Sequence, residues 1–465
     1  MSERFLFFGC WNSINCKKKD DSLHRDIILE YINKYEGQVE NIFIAGDNWY
    51  ATTFLQYVDK INIKLYLKDI LISGYYKLYE LSNKIIHIAV GNHDEDIGEE
   101  DKDEDEKKKE LKKNCMINTQ RHYIRKIIDH ISDQKKDISF GVRERNYEKS
   151  LGELNSFKNK DKVQPTTLES LKTLETLNYI GVEKDKKINL YVKEIGVIVD
   201  NNKYIMIVIN TNYFDLEKKA VDEYLDKINI IIEKQIDSRI GKHLFVMGHI
   251  PLFTYKNKEG KLPISITAID SDIINRFYDI LVHNNCIYLC ADTHNFSIMK
   301  IKKNGKCLIQ ITSGTGGADP DEIDENYKQS DIKYNADDYN ISYVSVNSFG
   351  YSSVNIDNTN NITISYNNVI KINNEPGNIY TYDITDDLKL LNDDTLQRSD
   401  DEIKDITNII KEVNDGKYKE PICDLITKKD IDIIINEMIV KDKENKVSCY
   451  EKVKIDKKQI KKKLK

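Results

Sequence analysis

Short apolar runs alternate with segments of helical spacing from the start of the chain. Residues 4–9 form the first apolar run, Arg4-Phe5-Leu6-Phe7-Phe8-Gly9. Residues 22–35 then place Leu23, Ile27, Ile28, Tyr31 and Ile32 on one side of a helix. Residues 41–45 predict a second strand. Residues 54–79 are mostly helical in spacing, with a break at Ser73-Gly74, and residues 85–90 predict a third strand. Such alternation predicts βαβ units around a buried sheet. It stops near residue 95. Residues 99–113 hold almost nothing but acids and lysines, the composition of a solvated loop or exposed helix.

The pattern resumes near residue 187. Residues 188–199 and 203–210 flank Asp200-Asn201-Asn202, which predicts a hairpin. A helix is expected over 221–240, with Tyr224, Leu225, Ile228, Ile231 and Ile232 as its apolar stripe. Strands are expected at His243–Met247 and Cys286–Cys290, with a helix over 271–282 between them. Residues 296–302 and 306–312 bracket Asn304-Gly305, a strong hairpin turn signal. Residues 343–357 and 362–366 predict a further antiparallel pair. The expected class is α/β (α+β), with two layers of mixed sheet covered by helices. Residues 1–371 are expected to form the main domain, with a charged insertion over about 95–186. Residues 372–465 are expected to be an extension, either a small helical module or partly flexible, with helices near 400–414 and 429–440.

Composition narrows the functional classes. A hydrophobic content of 40% supports a sizeable core, and a net charge of −7 argues against a dedicated nucleic-acid binder. The segment 451–465, with eight lysines against two acids, leaves weak nucleic-acid binding open. That tail and the insertion are the places where a protein partner would bind. The first residues lead straight into a core strand, so no signal peptide is expected. No apolar run approaches the roughly 18 residues of a membrane span. The eight cysteines have no framework spacing. Reduced thiols and an intracellular location are therefore expected. Cys286 and Cys290 share one face of a strand and are read as core residues. Abundant Lys, Asn, Ile and Tyr indicate an AT-rich genome, such as that of a large DNA virus or a protist.

The candidate chemistry sits where predicted strands end. The ends read Gly9-Cys10-Trp11-Asn12, Gly46-Asp47-Asn48-Trp49-Tyr50, Gly91-Asn92-His93-Asp94, Gly248-His249-Ile250-Pro251 and Ala291-Asp292-Thr293-His294. Open α/β sheets gather ligands beyond the carboxyl ends of their strands. Five strands would thus deliver carboxylate, amide, imidazole and phenol groups to one edge. This donor chemistry suits metal-assisted hydrolysis, in which two ions about 3.5–4 Å apart clamp a displacement at phosphorus. Asp47 is the natural bridge, and neutral imidazoles at His249 and His294 suit Fe, Zn or Mn.

The ordered series resembles the calcineurin-like metallophosphoesterase superfamily, and within it the purple acid phosphatases. Gly46–Tyr50 matches Gly-Asp-x-x-Tyr, residues 91–94 match Gly-Asn-His-Asp/Glu, and residues 248–251 match Gly-His-x-Pro. Further likeness lies in Ile209-Asn210-Thr211, Tyr288-Leu289-Cys290 and Ser313-Gly314-Thr315-Gly316-Gly317. The resemblance spans roughly residues 4–370 and implies a two-sheet β-sandwich flanked by helices. It implies phosphate-ester hydrolysis by a metal-bridging hydroxide. One metal site would use position 10, Asp47, Tyr50 and His294. The other would use Asp47, Asn92, His249 and position 292. Asn92 and His93 would contact the substrate, and Asp94 would orient His93.

Two positions depart from that pattern: the family has Asp where this chain has Cys10, and His where it has Asp292. Two other readings therefore stand beside the phosphatase: a degenerate member with a structural or partner-binding role, and a nuclease or nucleotide phosphodiesterase on the same scaffold. Trp11 and Trp49 either wall the substrate cleft or pack beneath it.

Overall fold

A computed structural model describes residues 2–13, 24–50, 73–81, 84–95, 190–192, 195–215, 218–236, 240–254, 271–321, 332–334, 339–384 and 398–415. The charged insertion, the expected helix near 429–440 and the lysine-rich tail lie outside them. Among the described residues, fifteen strands form two sheets. The first is built from β1 (Glu3–Phe8), β2 (Asn41–Ile44), β3 (Ile85–Ile88), β4 (Leu190–Val192), β13 (Phe349–Ile356), β14 (Ile362–Ile370) and β15 (Ile379–Asp383), in the order β15-β14-β13-β1-β2-β3-β4. The second holds β5 (Gly196–Asp200), β6 (Tyr204–Val208), β7 (His243–Met247), β8 (Cys286–Cys290), β9 (Phe296–Lys303), β10 (Lys306–Ser313), β11 (Ile332–Tyr334) and β12 (Tyr339–Val346), in the order β11-β12-β9-β10-β8-β7-β6-β5. Strands β1 to β4 run parallel, as do β6, β7, β8 and β10. The remaining pairs are antiparallel. The expected two-sheet sandwich of mixed strands flanked by helices is the observed architecture.

Side-chain alternation explains how the sandwich closes. On β6, Tyr204, Met206 and Val208 enter a core shared with Phe5, Phe7 and Phe43 of the first sheet. Ile205, Ile207 and Ile209 point the other way, into a core with two helices, α4 (Lys218–Glu233) and α5 (Ser271–His283). A strand covered on both faces must be apolar throughout, which is why 204–208 reads Tyr-Ile-Met-Ile-Val. Cys286 and Cys290 are buried in this second core, as expected.

On the outer face of the first sheet lies α1 (His24–Tyr35), with α2 (Ser73–Glu80) and α6 (Asp400–Asn414) against it, while α3 (Asn92–Glu95) is a single turn that follows β3. The α6 helix starts at Ser399, whose hydroxyl accepts from the Glu402 amide. It is fixed to α1 by a buried cluster in which Arg398 bonds both Tyr31 and Glu402, and Tyr31 donates to Glu402 at 2.5 Å. Among the described residues, no helix is long and apolar enough to cross a membrane.

Three expected elements differ from the observed ones. The run 188–199 is two strands in different sheets, β4 and β5, with Gly196 at φ 122° where β5 begins. The run 343–357 divides likewise at Asn347-Ser348 into β12 and β13. Each break falls at a short polar pair, Lys193-Glu194 and Asn347-Ser348, and such a pair marks a turn without saying which sheet the next strand joins. The third is α4, which ends at Glu233 rather than near 240; Ile236 and Ile240 are 44% and 88% exposed, and no core remains there to hold a further turn.

Candidate metal centre

The carboxyl ends of β1, β2, β3, β7 and β8 meet at one edge of the sandwich, and their loops are stitched together. The Cys10 amide donates to the Gly46 carbonyl at 3.1 Å. The Ala291 amide donates to the His249 carbonyl at 2.8 Å, and Ala318 to Cys10 at 2.9 Å. Cys10, Asp47 and Asp292, each just past a strand end, hold left-handed backbone conformations with φ of 50°, 54° and 58°. For non-glycine residues this costs about 1–3 kcal/mol each and concentrates at functional sites. Asp tolerates it through its short polar side chain; cysteine has no such compensation. Gly46 (φ 86°) and Gly91 allow the loops to touch, since a Cβ on Gly91 would overlap the Asp47 amide and carboxylate.

Asp47 is at the centre, 1% exposed. Its Oδ2 accepts from the Cys10 thiol at 3.6 Å. Its Oδ1 lies 3.1 Å from His249 Nε2 and accepts from the His93 amide at 3.1 Å. The two oxygens thus face different neighbours. Cys10 stands on the Oδ2 side, and Tyr50, beside Cys10 and Asp47, has its hydroxyl 3.4 Å from His294 Nε2. On the Oδ1 side, His249 Nε2 is 2.9 Å from Asn92 Oδ1 and 3.7 Å from Asp292 Oδ1. Ligand atoms of Cys10, Asp47 and His249 all lie within 4.8 Å of one another. The structure thereby gathers Cys10, Asp47, Tyr50, Asn92, His249, Asp292 and His294 at one edge. His93 is half-buried there, its ring 4.5 Å from that of Tyr50.

Both imidazoles are held from behind. His249 Nδ1 donates to the Ala45 carbonyl at 2.5 Å, and His294 Nδ1 to the Asp319 carbonyl at 2.8 Å. Each ring therefore presents Nε2 to the site, the orientation a neutral metal-ligating histidine takes. On His249 that nitrogen faces oxygens of Asp47, Asn92 and Asp292. An uncharged lone pair would be repelled there, so the position calls for a cation or a proton. Burial opposes charge on His249, yet Asp47, Asp292 and the Ala45 carbonyl together raise its pKa to about 9. Burial works against ionised Asp47 as well, but His249, His93 and His294 hold its pKa well below the usual range. Burial, Asp47 and Asp292 push the Cys10 thiol up; burial, Cys10 and Asp47 do the same to Tyr50. These shifts favour the protonated forms of His249, Cys10 and Tyr50 when no cation is bound. A bound cation would displace those protons, the usual coupling of metal affinity to pH. The donor set fits a metal ion.

Several residues to which the motifs assign no role support the site. Asn48 ties three loops: it accepts from Trp11 Nε1 at 2.9 Å, donates to the Ala89 carbonyl at 2.8 Å and donates to Asp94 at 2.8 Å. Thr211 accepts from the His249 and Ile250 amides. Asp321 accepts from the His294 amide at 2.9 Å. Asn48 occupies an unspecified position of Gly-Asp-x-x-Tyr, and Asp319 and Asp321 follow the Gly-Thr-Gly-Gly run; spacing alone marks none of them. Trp11 and Trp49 are fully buried, so both pack beneath the centre.

Asp94 accepts four hydrogen bonds: from the amides of Asn48, Trp49 and Gly91 and from the Asn48 side chain. It joins the loops after β2 and β3. Asp94→Ala leaves these buried donors without their acceptor. Equilibrium unfolding is expected to show a loss of about 3 kcal/mol, and metal titration a loss of roughly 10–100-fold in affinity.

No family model matches the chain, and no curated protein matches it. Among solved structures it is similar to GAP50, the anchor in the inner membrane complex of Plasmodium, at 12% identity and a TM-score of 0.41, over 89% of this chain and 96% of that one. It is also similar to purple acid phosphatase PPD1 from yellow lupin (Lupinus luteus) seeds, at 12% identity and a TM-score of 0.43. That match covers 87% of this chain and 55% of the lupin protein. Neither likeness bears on activity.

Proposed function

We propose that this chain hydrolyses phosphate esters with a dinuclear metal centre at the strand-end cluster. The observation that carries this reading is the division of Asp47: one carboxylate oxygen faces Cys10 and the other faces His249. Cys10, Tyr50 and His294 would hold one ion, and Asn92, His249 and Asp292 the other, with Asp47 shared. When bound, the ions would supply an acidified water and neutralise charge developing on phosphorus. The exposed Asn92 amide binds a phosphate oxygen. His93 holds a proton for the leaving oxygen, a role worth typically 10²–10⁴-fold. Ala45 and Asp319 fix the imidazole tautomers, and Asp94 keeps the loops in register.

The substitutions Cys10 and Asp292 favour a second reading, in which the scaffold persists and serves a partner-binding role. Metal analysis and hydrolysis assays separate the two. Protein purified without chelator is expected to carry about two ions per chain and to hydrolyse p-nitrophenyl phosphate. His249→Ala and Asn92→Ala are each expected to lower both occupancy and turnover. Trace metal after incubation with Fe, Zn and Mn would transfer support to the scaffold reading. Bound metal with hydrolysis of bis(p-nitrophenyl) phosphate but not of the monoester would indicate a phosphodiesterase.

A further inference from the structure

The two donor sets around Asp47 differ in chemical hardness. The Oδ1 set offers three oxygens, from Asp47, Asn92 and Asp292, and one imidazole nitrogen from His249. The Oδ2 set offers the Cys10 sulfur with the Tyr50 oxygen and the His294 nitrogen. Thiolate ligands select zinc and other thiophilic ions, whereas oxygen-rich sets suit manganese and magnesium. We infer that Cys10 makes its half of the centre select a thiophilic divalent ion such as Zn(II), while the Asp292 half takes a harder ion such as Mn(II). This rests on the reading of the cluster as a dinuclear centre.

Geometry supports the assignment. Zinc binds sulfur at about 2.3 Å and oxygen or nitrogen at about 2.0–2.2 Å in tetrahedral sites, so sulfur and oxygen ligands stand about 3.6 Å apart and oxygen and nitrogen about 3.4 Å apart. Cys10 Sγ lies 3.6 Å from Asp47 Oδ2, and Tyr50 Oη lies 3.4 Å from His294 Nε2. On the other side, Asn92 Oδ1 and Asp47 Oδ1 stand 2.9 and 3.1 Å from His249 Nε2. The Asn92 and Asp47 spacings match the roughly 3 Å edges of an octahedral site with bonds near 2.1 Å, while Asp292 Oδ1 stands 3.7 Å from His249 Nε2. The backbone adds a second argument. Cys10 holds a left-handed conformation (φ 50°) that cysteine does not favour, and its side chain is fully buried against Asp47. Cys290, also buried near the edge, is turned away, its sulfur 3.4 Å from Thr312 Oγ1 and 3.6 Å from the Ile311 carbonyl.

The test uses the full chain, stripped with chelator and titrated with Co(II). A sulfur-to-cobalt charge-transfer band in the near ultraviolet is expected. Zn(II) should abolish it at low excess and Mn(II) should not. Cys10→Asp keeps a residue that accepts the left-handed backbone; it should bind Co(II) without the band and lose at least about tenfold in preference for Zn(II) over Mn(II). Cys10→Ser provides the same reading if the first variant folds poorly. Bound Co(II) without a sulfur band, or a band that survives both variants, would overturn the inference while leaving the dinuclear reading standing. If the wild-type chain takes up no ion at all, the dinuclear reading falls and takes this assignment with it.

Discussion

Asp47→Asn is expected to strip the centre of metal and to lower phosphate-ester turnover by at least about 10³-fold. The magnitude follows from the several kcal/mol of charge stabilisation that bound ions contribute, at about 1.4 kcal/mol per tenfold. Asn keeps the shape of Asp and tolerates the left-handed backbone at this position (φ 54°). Its neutral amide cannot bridge two cations. The variant should therefore fold, and circular dichroism should match the wild type. What changes is charge: His249 Nε2, 3.1 Å from Asp47 Oδ1, loses its nearest carboxylate, and the Cys10 thiol loses its acceptor. Metal per chain and hydrolysis of p-nitrophenyl phosphate should fall together. Wild-type occupancy and turnover in a folded Asp47→Asn protein would show that this carboxylate bridges nothing.

The largest expected stability effect lies beneath the centre. Asp26, 2% exposed, accepts from Arg25 Nε at 2.7 Å and lies 3.3 Å from Lys77 Nζ. Arg25 is 1% exposed and Lys77 4% exposed, so one buried carboxylate serves two buried cations. Arg25 also donates to Asn12 Oδ1 at 2.6 Å, and Asn12 donates to the Asn48 carbonyl at 2.9 Å. The network thus joins α1 and α2 to the loops after β1 and β2. Removing one member of a buried ion pair costs about 3–5 kcal/mol, because the partner charge stays buried without compensation. Asp26→Ala should reach at least that range in urea unfolding. Lys218→Ala is the control: its pair with Asp272 is 3.0 Å long but 66% and 69% exposed, and such pairs contribute about 0–1 kcal/mol. Equal midpoint shifts in the two variants would contradict the burial argument.

The network also shows where sequence reading stops. Arg25, Asp26 and Lys77 lie on helices and carry ordinary surface residue types. Nothing in their spacing marks them as buried; they are covered because α2 packs on α1 near Trp11 and Gly317. Asn48 is inside a motif, yet its role needs Trp11 after β1 and Ala89 and Asp94 after β3. Arg398 and Glu402 likewise mean little until α6 meets Tyr31.

The strand-helix alternation, the hairpin at Asn304-Gly305 and the residues gathered at the strand ends were all legible in the chain's own pattern. Those signals are local: apolar period, turn chemistry, and short motifs that place a polar side chain after a buried strand. Tertiary structure alone decided which sheet each strand joins. It split the runs 188–199 and 343–357 between sheets, because a local polar pair does not specify the partner of the strand that follows it. It alone set one Asp47 oxygen against the Cys10 thiol and the other against His249 Nε2, because those contacts depend on loops brought together from β1, β2 and β7.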